Sequence, residues 1–78
     1  MNDTADFVTL INDELGLDVV PDEVDQPLDT IVGWDSVQLV RLLTVLEKVT
    51  GRPVSFPDML AATTLGQIFR LAVGHERN

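Results

Sequence analysis

Apolar positions recur at helical spacing along most of this chain, and no run alternates strictly for long, so the pattern predicts helices and no sheet. Phe7, Val8, Ile11 and Leu15 fall on one helical face. Asp3 or Thr4 is placed to cap the start, and Gly16 suits the left-handed position that ends a helix, with Leu17 folding back on the last turn. A helix over about 4–15 follows. Residues 16–34 lose this periodicity: Pro21, Pro27 and Gly33 break it, and Asp18, Asp22, Glu23, Asp25 and Asp29 keep the stretch polar. A structureless connection of that length is unusual in a small domain. Val19, Val20, Val24, Leu28, Ile31 and Val32 predict that it is pinned across the core, with room for a short helical turn.

The next helix carries the strongest signals. Asp35 is a good N-cap, and Gln38, three residues on, is placed to complete a capping box. Trp34 and Leu39 are spaced as a hydrophobic staple. Leu39, Leu42, Leu43, Leu46 and Val49 give the buried stripe, after which Gly51 and Pro53 end the helix. Pro57 to Ala61 allow a short helix capped near Ser55 or Phe56. Thr64 and Gln67 form a second capping-box pair that opens a last helix, with Leu65, Ile68, Phe69 and Ala72 on one face and Gly74 at its end. The expected fold is all-α: a small four-helix bundle of three main helices and one short one, with a long loop between helices one and two. Seventy-eight residues suffice for a single domain over 1–78, with an expected stability of only ~3–5 kcal/mol.

Charge and composition narrow the function. Thirteen acidic residues against five basic ones give a formal net charge of -8. Such a surface repels a nucleic-acid backbone and suits either plain solubility or partners with basic patches. No apolar run approaches the ~20 residues a membrane helix needs. No basic segment precedes an apolar one at the N-terminus, so no signal peptide is expected and a cytoplasmic location follows. With no cysteine, any reactive thiol must come from a cofactor.

Ser36 is the candidate for chemistry. As the first residue of helix two, it places a hydroxyl at a helix mouth, where unpaired N–H groups and about half a positive charge favour a phosphate ester. Position alone fits an ordinary first-turn serine as well. Other candidates carry less. His75, the single histidine, follows Gly74 in a polar tail and would have to meet Ser36 and Asp35 across the molecule to form a triad. Asp22, Glu23, Asp25 and Asp29 lack the spacing of an EF-hand loop, so they read as a solvated loop and no metal site is expected. Trp34 serves as the staple or as a partner anchor.

The string Gly33-Trp34-Asp35-Ser36-Val37, followed by Leu39, Leu42, Leu46, Glu47 and Gly51, resembles the attachment region of the acyl and peptidyl carrier proteins, whose signature is Gly-x-Asp-Ser-Leu at the start of the second helix. The helix order, the long first loop and the Thr63-Thr64-Leu65 opening of the last helix extend the resemblance over nearly the whole chain. With its Trp, the string looks more like discrete carriers of polyketide and nonribosomal peptide pathways than like those of primary fatty-acid synthesis.

The resemblance implies that Ser36 accepts 4′-phosphopantetheine from coenzyme A through a phosphopantetheinyl transferase. The arm's thiol would then hold acyl or aminoacyl groups as thioesters, presented to a loading enzyme and to downstream synthase or tailoring enzymes. Asp35 would be the cap that fixes the direction of the arm. The chain would be a monomer and no enzyme itself, with no catalytic residue of its own.

Two positions depart from the family pattern: Val37 replaces the usual Leu, and Thr50 stands where a large apolar residue is common, so that either Val49 takes over its packing or the end of helix two is slightly re-registered. On helix two the buried stripe leaves Val37, Val40, Arg41, Thr44, Glu47 and Lys48 as the expected partner face. Related carriers often show a mostly acidic face here, whereas this chain places Arg41 and Lys48 in it. The competing function is a non-covalent acidic helical interaction or regulatory module in which Ser36 stays bare. A small hydrolase finds almost no support, because the chain offers no oxyanion-type glycine motif and no well-placed base.

Overall fold

The computed structural model describes residues 3–74. Among the described residues four α-helices form: α1 (Thr4–Leu15), α2 (Ser36–Thr50), α3 (Phe56–Ala61) and α4 (Leu65–Val73). Among the described residues there is no strand, only an isolated antiparallel bridge between Pro27 and Thr64. The class is all-α, as the spacing of apolar residues predicts.

Each main helix carries its own boundaries. Asp3 caps α1 by accepting from the Asp6 N–H at 2.9 Å, and Gly16 ends it in the left-handed conformation. Ser55 accepts from the Asp58 N–H to open α3, and Thr64 accepts from the Gln67 N–H to open α4. Gln67 reaches back as predicted, but its Oε1 takes the Thr63 N–H at 2.7 Å, one residue before the cap.

The apolar faces meet in one core. Phe7 and Ile11 of α1, Leu42 and Leu46 of α2, Met59 of α3, and Leu65 and Ile68 of α4 are its largest fully buried side chains. Phe7 and Phe69 pack with ring centroids 5.3 Å apart and planes tilted by 52°, a favourable arrangement for aromatic quadrupoles.

The long connection is indeed pinned, by side chains and by two short 3₁₀ turns, Pro21–Asp25 and Leu28–Thr30. Val19, Val24 and Ile31 are buried in the core. Asn12 on α1 clamps the loop: its Nδ2 donates to the Val19 carbonyl and its Oδ1 accepts the Val19 N–H, both at 2.8 Å. Glu23 closes the first turn by accepting the Val20 N–H at 3.0 Å. The Leu28 N–H donates to the Thr63 carbonyl at 2.9 Å, tying the loop to the start of α4. Gly66 permits α4 to approach the first turn, because a Cβ there would meet Val24 and Asp25 side-chain atoms at 3.3 Å.

Two expectations for α2 are corrected. Val49 lies on the exposed side, so it does not belong to the buried stripe and does not replace the packing of Thr50. The stripe runs Leu39, Leu42, Leu46 and on to half-buried Thr50, whose hydroxyl donates to the Leu46 carbonyl at 2.8 Å; Leu43 is half-buried at its edge. Gln38 does not complete a capping box. Its Nε2 points to the Leu15 carbonyl at 3.4 Å, spanning to the end of α1, and its buried Oε1 has no partner among the described residues. The α1–α2 packing that brings Leu15 close draws this side chain away from the helix mouth.

Candidate functional site

Ser36 is exposed and is the first residue of α2. What places it there is the segment just before it. Ile31 is buried, so the chain is anchored five residues upstream. Gly33 then turns with φ at +87°, a conformation that L side chains rarely adopt, and it lies so close to Leu17 that a Cβ would stand 2.9 Å from its Cδ2. The positive φ favours glycine; the Leu17 contact is with a side-chain end that can shift. The Trp34 N–H donates to the Ile31 carbonyl at 3.1 Å, and the indole is half-buried against the core that contains Leu39. That placement agrees with a staple.

Asp35 is extended, and its Oδ1 accepts the Gln38 N–H at 2.9 Å while its carbonyl accepts the Leu39 N–H at 3.1 Å. The helix therefore starts at Ser36. The amides of Ser36 and Val37 have no acceptor among the described residues, as the first turn of a helix requires. The Ser36 hydroxyl likewise makes no hydrogen bond with a described residue.

These features suit a phosphodiester on Ser36. The oxygen is open to solvent with no competing partner among the described residues, and two amides they leave unclaimed and the positive end of a fifteen-residue helix lie at its base. A phosphopantetheine held there would supply a terminal thiol, which this cysteine-free chain lacks. The chain's own part is positional: Gly33, Trp34 and Asp35 fix where the hydroxyl projects.

The expected partner face divides. Val37, Val40, Arg41, Thr44 and Lys48 are exposed. Glu47 is half-buried, and its Oε2 accepts the Val54 N–H at 2.9 Å, so it holds the segment after α2. On the neighbouring helix, Phe56 and Leu60 add exposed apolar surface that the sequence reading did not single out. The available signal was three large apolar residues, Phe56, Met59 and Leu60, on a helix of six residues, too short to bury them all.

His75 lies outside the described residues, so the triad geometry is not described. Among the described residues, no group of three or more His, Asp or Glu side chains is arranged to hold a metal ion. No helix among them is long and apolar enough to cross a membrane.

Comparison with known families gives one finding. A family model described as the phosphopantetheine attachment site matches residues 5–72. No curated protein and no solved structure matches the chain significantly.

Proposed function

We propose that this chain, which belongs to the phosphopantetheine attachment-site family, tethers acyl or aminoacyl intermediates as thioesters on an arm attached to Ser36. The family attaches a 4′-phosphopantetheine group, and a carrier role follows from membership. Carrier domains of this kind are not themselves catalytic. The assignment to Ser36 rests above all on one observation: an exposed, unbonded hydroxyl at the capped start of α2, within the matched span.

Loading requires that the Ser36 oxygen form a new bond to the phosphorus nearest the pantetheine of coenzyme A. The bond to the adenosine bisphosphate breaks, and the serine proton leaves to a base of the transferase. Once modified, the chain would present cargo held on the arm's thiol to a loading enzyme and to later synthase or tailoring enzymes, which approach over Val37, Val40 and their neighbours. The Trp34-containing string favours a discrete carrier of a polyketide or nonribosomal peptide pathway over one of primary fatty-acid synthesis. A monomeric single domain in the cytoplasm completes the proposal.

The test is intact mass after incubation with coenzyme A and a broad-range phosphopantetheinyl transferase. One phosphopantetheine is expected on the native chain and none on Ser36→Ala. No addition with several transferases would overturn the carrier reading and favour a non-covalent module.

A further inference from the structure

A partner that reaches Ser36 must approach the outer face of α2, and the free charges there oppose the sign of the whole chain. Residues 1–35 hold ten of the thirteen acidic residues and no lysine or arginine, while residues 36–78 hold three acidic and five basic ones. The single carboxylate within α2 is Glu47, and it is engaged by the Val54 N–H. Asp35, at the helix mouth, is engaged by the Gln38 N–H. Arg41 and Lys48 are exposed and form no ion pair or side-chain hydrogen bond with a described residue. Positions 37, 40, 41, 44 and 48 share one face at helical spacing. Val37 is 63% exposed and Val40 is 48% exposed, so the face is an apolar patch beside two unpaired cations.

Resting on the carrier reading, we infer that this face docks an enzyme surface with an apolar socket bordered by carboxylates, and that it disfavours the basic docking surfaces that acidic carriers use. Charge complementarity argues for this occupant. A basic surface meets Arg41 and Lys48 as like charges, which suppresses a wrong partner more than it alters the affinity of a right one. Glu47 keeps its negative charge, but it is half-buried and bound to the Val54 N–H, so Arg41 and Lys48 are the exposed charges of the face.

The experiment compares two substitutions with the same change in net charge. Arg41→Glu alters the face, and Arg70→Glu alters an exposed position on α4 beside the first 3₁₀ turn. Each variant, with circular dichroism as the folding control, is modified by a broad-range transferase and by one whose carrier-docking surface is basic. With the basic-surfaced transferase, Arg41→Glu is expected to raise kcat/KM at least about threefold at low salt. That gain should vanish at about 0.5 M salt, and Arg70→Glu should give a much smaller one. Equal gains for the two variants, or no gain for Arg41→Glu, overturn the inference while leaving a modified chain and the carrier reading intact. Failure of every chain to accept the group from either transferase overturns the carrier reading and this inference together.

Discussion

One carboxylate oxygen of Asp35 decides where α2 begins and therefore where the Ser36 hydroxyl stands. Asp35→Ala removes that cap and is expected to cost about 0.5–2 kcal/mol. In a domain this small, each kcal/mol lowers the melting midpoint by about 4–8 °C, so the loss is visible in a thermal melt. An unchanged midpoint would mean that the helix does not depend on this cap. The approach of Gly33 to Leu17 was not legible in the sequence, whereas the cap and the place of the serine after it were, because the signal is local: the Asp35 side chain binds an amide three residues on. Gln38 and Glu47 were misread for the opposite reason. Their positions on the helix were right, but the Leu15 carbonyl and the Val54 N–H that claim them lie 23 and 7 residues away and become neighbours only in the folded chain.

The elements divide in the same way. Helix spans followed from apolar spacing and caps, and the stripe of α2 was correct through Leu46. Its last turn was not, because sequence alone favours apolar Val49 over Thr50, whereas the advance of four residues from Leu46 brings Thr50 inward and lets its hydroxyl bond to the Leu46 carbonyl. The pinning of the long loop was legible in its valines, but its clamp was not, since an asparagine on the polar side of α1 gives no hint of a partner in the loop. Asn12→Leu leaves the Val19 N–H and carbonyl unpaired, and a loss of about 2–3 kcal/mol is expected in chemical denaturation. A loss below ~0.5 kcal/mol would show that water replaces the clamp. On the outer side of α2, Val37→Asp should slow loading by the cognate enzyme at least about tenfold, the effect of an interface residue worth ~1.4 kcal/mol, at unchanged helicity. Equal loading rates would remove Val37 from the docking face.

At the scale of the whole molecule, the arrangement separates three tasks. The core holds the bundle together, the first half carries ten of the thirteen acidic residues, and the mouth of α2 stands open with its serine unbonded among the described residues. Nothing in the bundle needs to perform chemistry if the reactive group arrives on an arm, which fits a cysteine-free chain in a family defined by phosphopantetheine attachment. The central claim is that the arm sits on one particular hydroxyl. Fragmentation mass spectrometry of the chain, after modification with coenzyme A and a broad-range transferase, tests it most directly. The account predicts a single phosphopantetheine located on Ser36; a group located on Ser55 or on any threonine, with residue 36 unmodified, would contradict it.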